Sequence, residues 1–255
     1  MDPRLIFDED AGNYDRARPG YPAELYAAIF AYSGAGAGTR ALEIGVGTGQ
    51  ATPPFLEKGC SVTAVELGAR LSRRVKQKFR DRPGFQVLQG DFLDCELPAG
   101  SFDLAYCATA FHWLPGKRAY PRVRELLREG GTLALFWNHP FPNREEDETN
   151  RANRRVYRKY RPDAEEQREF CEADCAKRAE ELRAYGFCDV RASLFHRVRR
   201  LTAAEYIDLL NTYSDHRALP PRTRAAFEQD MKTALGAAGG FVNIHDTVDL
   251  YLARK

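Results

Sequence analysis

Residues 41–50 constrain the fold of this 255-residue chain more than any other stretch. They read Ala-Leu-Glu-Ile-Gly-Val-Gly-Thr-Gly-Gln, so a short apolar run ends in glycines at every second position. The run from Arg40 to Ile44 predicts a buried strand, and Thr48 to Leu56 predicts a helix with two prolines in its first turn. A strand, a glycine turn and a helix N-terminus bring backbone N–H groups close to a ligand. The stretch therefore predicts a site for a nucleotide-like cofactor at the carboxyl end of a parallel sheet.

The spacing of the glycines distinguishes three classes of cofactor site. A phosphate-binding P-loop would continue with Gly-Lys-Ser/Thr, whereas Gly49 is followed by Gln-Ala. A dinucleotide site would have G-x-G-x-x-G and would need a glycine at position 50. The sequence instead has E-x-G-x-G-x-G, formed by Glu43, Gly45, Gly47 and Gly49, and this pattern resembles the first motif of class I S-adenosylmethionine (SAM) methyltransferases. SAM has a cationic sulfonium and a zwitterionic amino acid end but no phosphate. A carboxylate at the strand end suits such a ligand better than it suits a pyrophosphate.

Four further strands alternate with helical patterns after the glycine turn. They are predicted at Ser61–Val65, Phe85–Leu88, Phe102–Cys107 and Thr132–Trp137. This β-α rhythm predicts an open parallel sheet with right-handed crossovers. Two more strands are predicted near 189–198 and 241–253.

Acidic residues follow two of these strands. Glu66 lies 21 residues after Gly45, where an acidic side chain can reach a ribose diol. Asp91 can accept a hydrogen bond from an adenine amino group while Phe92 packs on the ring. A solvated carboxylate at a strand end and a plain turn are the structural alternatives.

The sequence of residues 36–137 resembles the small-molecule (type 11-like) class I methyltransferases. The resemblance rests on motifs that occur in the same order: the glycine motif, Glu66, Gly90-Asp91-Phe92, Phe102-Asp103-Leu104 and Gly130-Gly131. Strand four lacks the Asn/Asp-Pro-Pro-aromatic ending, so a resemblance to base or glutamine-amide N-methyltransferases fails there. The resemblance implies a Rossmann-like sheet of seven strands, mostly parallel with the last antiparallel, helices on both faces and a helical lid.

Two outlying motifs resemble a subgroup that includes trans-aconitate methyltransferase-like proteins. They are Tyr14-x-x-x-Arg18-Pro19-x-Tyr21-Pro22 and Phe111-His112-Trp113. The family resemblance implies SAM as the cofactor and implies a set of cofactor-binding residues: Tyr14, Arg18, Glu43, Gly45, Gly47, Gly49, Glu66, Leu67, Asp91, Phe92, Ala108 and Thr109.

The acceptor side is predicted at residues after strand four and in the flanking segments. His112 could deprotonate a hydroxyl or amine, since the histidine pKa lies near neutral pH, or it could only position the substrate. If the acceptor is a carboxylate, no base is needed. Aromatic faces can stabilise a sulfonium by cation–π contact. The predicted substrate residues are His112, Trp113, Tyr21, Asn138 and Tyr213, and no metal ligand is predicted.

Composition limits the partners. The net charge of +2 gives no electrostatic case for nucleic acid, and no apolar run approaches the roughly 20 residues that span a bilayer. The N-terminus lacks the apolar core of a signal peptide and the cysteines are scattered, so we expect a cytoplasmic protein, a monomer or a homodimer. The charged segment 144–168 is interpreted as a solvated helix or as a cap that attracts an acidic substrate.

The sequence predicts one domain over 1–255. Residues 1–35 supply an N-terminal cover and helix, 36–138 the cofactor core, and 139–170 with 200–236 the lid insertions. Irregular structure is expected around Pro19, Gly20 and Pro22, a loop is expected at Asn138–Pro142, and two helices are expected over 202–235. Two rival functions stay open, a nicotinamide-dependent oxidoreductase and a non-catalytic SAM-binding protein.

Overall fold

The computed structural model describes residues 2–162 and 167–255, and a mixed sheet of seven strands runs through this part of the chain. The strands are β1 (Arg40–Ile44), β2 (Ser61–Glu66), β3 (Phe85–Gln89), β4 (Phe102–Ala108), β5 (Leu127–Phe141), β6 (Cys188–Thr202) and β7 (Phe241–Arg254). They lie in the order β3-β2-β1-β4-β5-β7-β6. Strands β1 to β5 are parallel, and β7 is antiparallel to both of its neighbours. The predicted Rossmann-like sheet is confirmed.

Helices cover both faces of this sheet. They are α1 (Ala11–Ala17), α2 (Ala23–Ser33), α3 (Pro53–Glu57), α4 (Ala69–Lys78), α5 (Gly116–Leu126), α6 (Glu148–Tyr160), α7 (Glu172–Ala184), α8 (Ala203–Leu210), α9 (Ser214–Arg217) and α10 (Pro221–Ala237). Short 3-10 helices span Pro3–Asp10 and Phe111–Trp113.

Successive residues of the central strands pack on opposite faces of the sheet, because side chains alternate along a strand. Leu42 and Cys107 join a core with α5 and α7, whereas Ala41 and Tyr106 join a second core with α2 and α3. Both faces of the central strands are therefore buried, which explains why they read as continuous apolar runs.

Strand β5 continues where a loop was predicted. Residues Asn138 to Phe141 extend the strand and pair with β7, from Val248 to His245. Its other neighbour, β4, pairs only as far as Phe136. Pro140, which has no backbone N–H, therefore lies where β5 has no strand beside it on the β4 side, and a proline is tolerated at such an edge. The prediction of a loop at Asn138–Pro142 was wrong because the sheet provides a partner that local sequence does not reveal.

The helix after the glycine turn begins later than predicted. It starts at Pro53 rather than Thr48, with both prolines in its first turn as expected. Residues 48–52 instead form turns and bends. The Thr52 hydroxyl donates to the buried Glu43 carboxylate at 2.7 Å, which ties this turn to the end of β1.

The N-terminal residues are helical up to Ala17. The irregular structure predicted around Pro19, Gly20 and Pro22 is confirmed, because residues 18–22 belong to no helix or strand. The Asp10 side chain caps α1 by accepting from the Asn13 N–H at 3.0 Å. The segment lacks an apolar period of its own, so its order depends on this cap and on contacts with distant elements.

Residues 2–22, hereafter the cover segment, are attached at several points along the protein. The Asp8 carboxylate accepts from the N–H groups of Arg70 and Leu71, at 2.7 and 2.8 Å, at the start of α4. Asp15 forms an ion pair with Lys78 at 2.8 Å, farther along the same helix. Glu9 pairs with Arg217 of α9. The cover segment therefore bridges the cofactor half and the C-terminal helices.

Three helices, rather than the two predicted, lie between β6 and β7. The predicted cap of the first is confirmed, since Glu205 N–H donates to the Thr202 hydroxyl and Thr202 N–H donates to Glu205. Helices α6, α8 and α10 share an apolar core that packs on β7. We call α6, α8, α9 and α10 the helical layer. Residues 163–166 of the predicted lid segment 139–170, and Met1, lie outside the described residues.

Candidate active site

Backbone N–H groups of the glycine turn form hydrogen bonds with β2. The N–H of Gly45 donates to the Val65 carbonyl at 2.9 Å. Gly47 has a φ of +58°, in the left-handed region that favours glycine. Its N–H donates to a Glu66 carboxylate oxygen at 2.8 Å, so strand β2 fixes the turn that follows β1.

Glu66 joins two loops. Its second carboxylate oxygen accepts from the Gly68 N–H, also at 2.8 Å. The side chain is 7% exposed, and burial raises the pKa of the carboxyl while the Gly68 and Gly47 N–H groups lower it in part. A carboxylate can accept about four hydrogen bonds, so beside the Gly47, Gly68 and Leu67 N–H groups it keeps acceptor capacity for a ligand hydroxyl.

A cavity of about 310 Å³ lies beside this turn, in the size range of small-molecule sites. Most of the predicted site residues line it: Tyr14, Arg18, Gly45, Gly47, Glu66, Leu67, Asp91, Phe92, Ala108, Thr109, His112, Trp113 and Tyr213. A smaller cavity of about 70 Å³ shares part of this wall and adds Tyr21, Glu43 and Asn138. The structure thus brings residues from seven separate segments of the chain together at the carboxyl ends of β1, β2, β3 and β4.

Gly49 is the one predicted site residue that neither cavity includes among its lining residues. A Cβ at this position would collide with the ring of Phe79 and would lie 3.2 Å from Val75. The φ of +82° also favours glycine. The third glycine of the motif therefore allows close packing of the turn on α4.

Glu43 lies at the inner end of the smaller cavity. It is 1% exposed and accepts from the Thr52 hydroxyl at 2.7 Å and the Tyr106 hydroxyl at 2.8 Å. Burial raises the pKa of Glu43 to about 7, although these two hydrogen bonds lower it in part. The charge of this carboxylate can therefore change near neutral pH.

The cover segment supplies a wall of the main cavity that the motifs only partly predict. Arg4 and Phe7 line it in addition to Tyr14 and Arg18. The Arg4 guanidinium forms an ion pair with Asp91 at 2.8 Å. No local pattern distinguishes Arg4 in the sequence, because its partner lies 87 residues away.

Arg18 lies among aromatic rings. Its guanidinium carbon is 4.5 Å from the centre of the Tyr213 ring and 5.2 Å from that of Tyr14. One terminal nitrogen donates to the Thr212 carbonyl at 2.9 Å, while the buried Nε has no hydrogen-bond partner among residues 2–162 and 167–255. Arg18 therefore links the cover segment to the loop between α8 and α9 at the cavity.

The end of β4 is strained and tied to the cover segment. Thr109 has a φ of +55°, which is uncommon for a β-branched residue. Its hydroxyl lies 2.7 Å from the Tyr21 hydroxyl, and it accepts from the Asn138 N–H at 3.3 Å. These contacts hold the loop that leads to His112.

His112 lies on the 3-10 helix after β4 and lines the main cavity. The indole N–H of Trp137 donates to His112 Nδ1 at 2.9 Å. Burial, followed by the charges of Arg178 and His139, lowers the pKa of His112. Trp113 lies beside it, with Phe7 edge-on at 5.7 Å between ring centres.

The helical layer reaches the main cavity through Tyr213, Ser214 and Asp215. The last two were not predicted from sequence. Two cations at the C-terminal end of α6 pair with carboxylates of the layer, Lys159 with Asp230 and Arg161 with Asp215, both at 2.6 Å. These pairs agree with the interpretation of a solvated helix.

Two features are absent from residues 2–162 and 167–255. No helix there is long and apolar enough to cross a membrane. No group of three or more His, Cys, Asp and Glu side chains there is arranged to hold a metal ion.

Comparison with known proteins identifies the family. A family model described as a methyltransferase domain matches residues 42–135. An uncharacterized methyltransferase of Mycobacterium bovis is 34% identical over 137 residues, which are 54% of this chain and 54% of the relative. This chain therefore spans about half the length of that relative. An uncharacterized methyltransferase of Geobacillus sp. is 31% identical over 149 residues, which are 55% of this chain and 68% of the relative.

A solved structure shares the fold. It is phosphoethanolamine N-methyltransferase 2 from Haemonchus contortus in complex with S-adenosyl-L-methionine, with a TM-score of 0.59 and 16% identity. The match covers 100% of this chain and 60% of that one. The family model, the Geobacillus relative and this fold agree with the glycine motif. We conclude that the chain belongs to the class I SAM-dependent methyltransferases, whose cofactor is S-adenosyl-L-methionine.

Proposed function

We propose that this chain is an active methyltransferase that methylates an oxygen, nitrogen or carbon nucleophile of a small molecule. The observation that supports the proposal most is the buried Glu66 carboxylate, which fixes the glycine turn and keeps lone pairs for a diol. When bound, SAM supplies a methyl group already activated on a sulfonium, so the chain needs no nucleophile of its own.

The residues around the two cavities fit this cofactor. Glu66 would accept hydrogen bonds from the ribose diol. Asp91, which keeps acceptor capacity beside Arg4, would accept from the adenine amino group, with Phe92 against the ring. Glu43 lies at the end of β1 near Gly45, where an anionic form would suit the cofactor's ammonium group.

The remaining wall would select and align the acceptor. His112, Trp113 and Tyr213 border the main cavity, and Tyr21 and Asn138 border the smaller one. The protein's contribution to the rate would be alignment of the acceptor and exclusion of water. A carboxylate, hydroxyl or amine acceptor suits these side chains, and a carboxylate would agree with the subgroup resemblance of the sequence motifs.

The same contacts support the proposed division of the single domain 1–255. Residues 36–138 carry the cofactor residues that follow β1 to β4. The cover within 1–35 and the insertion 200–236 both reach the main cavity. The segment 139–170 borders the smaller cavity through Pro140 and packs through α6 on α10.

Ligand binding followed by an activity assay tests the proposal. We expect SAM and its demethylated product, but not NADH, to raise the melting temperature. Radiolabelled SAM should then transfer its methyl group to a member of a panel of small carboxylates, phenols and amines. Stabilisation by NADH alone would favour an oxidoreductase, and SAM binding without transfer to any panel member would favour the non-catalytic alternative.

Replacement of Glu66 by alanine should weaken SAM binding. The loss of hydrogen bonds to a charged group costs roughly 1–3 kcal/mol, and the Gly47 N–H would also lose its partner. Turnover at saturating SAM should change little, because ribose contacts are similar in the ground and transition states. Titration calorimetry and steady-state kinetics measure the two effects, with Glu66→Gln as the control that keeps side-chain size. A large loss of turnover with unchanged affinity would assign Glu66 a different role.

His112→Ala should impair methyl transfer while leaving the SAM dissociation constant within about twofold. We expect a decrease in kcat/KM of roughly tenfold or more, because an oriented polar group at the acceptor side is lost. A general base would show a pH step below the histidine reference pKa of about 6.5, because burial lowers the pKa of His112, and the step would vanish in the variant. A positioning residue would raise KM and preserve the shape of the profile. If His112→Ala kept full activity with every accepted substrate, His112 would have only a packing role.

A further inference from the structure

The hydrogen bond between Trp137 and His112 has a fixed direction. An indole nitrogen can only donate, so His112 Nδ1 must accept through its lone pair at 2.9 Å. A neutral imidazole that accepts at Nδ1 has its proton on Nε2. Among residues 2–162 and 167–255, no hydrogen bond uses Nε2 of His112, so this N–H is left for a ligand in the cavity.

Trp137 is held firmly enough to impose this arrangement. It lies on β5 and is 5% exposed. Its backbone N–H donates to Asp249 at 3.0 Å, and its ring meets Tyr251 edge-on at 6.0 Å between ring centres. The Arg178 guanidinium carbon lies 3.8 Å from the ring centre on the indole face. A buried indole packed on these sides has little freedom to turn its N–H elsewhere.

The charges that face His112 also favour the neutral ring. They are Arg178, from α7, and His139, from β5. His139 has an Nε2 that lies 3.1 Å from Asp249, and its ring stacks on Phe170. A proton on Nδ1 of His112 would also place two N–H donors against each other. Geometry and charge therefore both favour the neutral form of His112 that has its proton on Nε2.

We infer that Trp137 is a positioning residue that fixes His112 as an Nε2–H donor to the methyl acceptor. This inference rests on the proposed function, and it goes further by excluding His112 as the proton acceptor. Nδ1 is occupied and Nε2 already has a proton, so neither nitrogen can take one from a substrate. The acceptor must therefore present a lone pair to His112, and its nucleophile must reach the site already deprotonated or lose its proton to water or to a group other than His112.

Nitrogen NMR of the protein alone tests the tautomer. In ¹⁵N-histidine-labelled protein at pH 7.5, we expect His112 Nδ1 to have the shift of an unprotonated nitrogen and Nε2 that of a protonated one. The His112→Gln variant assigns the signals. Trp137→Phe keeps an aromatic ring but removes the donor, so the two shifts should move toward each other as the tautomers exchange.

The chain has a matched control in its other tryptophan. Trp113 also lies beside His112, at 5.1 Å between ring centres, but makes no hydrogen bond to it. Trp113→Phe should therefore keep the wild-type pattern of His112 shifts. Protonated Nδ1 in the wild-type protein, or equal shifts in the wild type and Trp137→Phe, would overturn the inference. If Trp137→Phe does not fold, the wild-type pattern decides alone.

Kinetics separate positioning from general structure. With an accepted substrate, Trp137→Phe should raise KM for the acceptor roughly three- to tenfold, as expected for the loss of one oriented neutral hydrogen bond, and should change kcat less. The wild-type profile should have no rise in rate at or below pH 6.5 that depends on His112, and such a step that vanished in His112→Ala would overturn the donor role. Absence of methyl transfer would overturn the proposed function and the donor role with it, whereas protonated Nδ1 in an active enzyme overturns only the inference.

Discussion

Gly47→Val is expected to abolish SAM binding, with a loss of affinity of at least about a thousandfold, or about 4 kcal/mol. Gly47 lines the main cavity, and a Cβ there would lie 3.4 Å from the Tyr14 ring. The two methyl groups of valine would extend into the same space. Titration calorimetry with SAM and with its demethylated product measures the effect, and unchanged affinity would remove the basis of the proposed cofactor site.

The chain provides a control for the backbone strain that valine introduces at a positive φ. Gly100 has a φ of +60°, close to the +58° of Gly47, but it is exposed and a Cβ there would meet nothing within 4 Å. Gly100→Val should thus show the cost of a left-handed valine, of the order of 1–2 kcal/mol or more, with normal SAM affinity. Denaturant unfolding of both variants shows whether Gly47→Val stays folded under the conditions of the binding assay.

The second large effect concerns the stability of the protein without cofactor as a function of pH. The pKa of Glu43 is about 7 in the folded protein against an ordinary 4.5. The folded state therefore keeps a proton that the unfolded state releases between these values. The free energy of unfolding should fall as pH rises through this window, by at most about 3 kcal/mol at 1.36 kcal/mol per pKa unit.

Glu43→Gln isolates this contribution. Its amide oxygen can still accept from Thr52 or Tyr106, but the side chain cannot titrate. Urea unfolding at pH 5, 6, 7 and 8 should show a smaller decrease in the free energy of unfolding in the variant. Subtracting the two curves cancels the contribution of the other titrating groups. Parallel curves would show that Glu43 ionises in its ordinary range despite burial.

The cofactor half of the site could be predicted from sequence for a physical reason. Parallel strands bring their carboxyl ends to one edge of a sheet, so Glu66 and Asp91 had to lie near the glycine turn once the strands were recognised. Gly49 shows the limit of that argument. It shares a motif with Gly47, yet its missing side chain makes room for Phe79 rather than facing either cavity.

The other walls of the main cavity could not be predicted from sequence, because they form by contacts between segments that are distant in the chain. Arg4 meets Asp91 only after the cover segment folds across the sheet edge. Ser214 and Asp215 reach the cavity from a short helix that no apolar period marks. The direction of the Trp137–His112 hydrogen bond likewise depends on the packing of β5 beside the loop after β4. Local patterns identify elements, but they do not specify which side chains meet.

The bridging position of the cover segment has a kinetic consequence. The segment contacts α4 through Asp8, α9 through Glu9, and the loop before α9 through Arg18. We expect a molecule that leaves the cavity past the cover segment to exchange with solvent no faster than these contacts open. The exposed ion pair of Glu9 weakens with added salt, whereas the hydrogen bonds at the α4 N-terminus are less sensitive. We therefore expect Asp8 and Glu9, which line neither cavity, to influence the residence time of the cofactor, and ionic strength to change that time without changing the shape of the site.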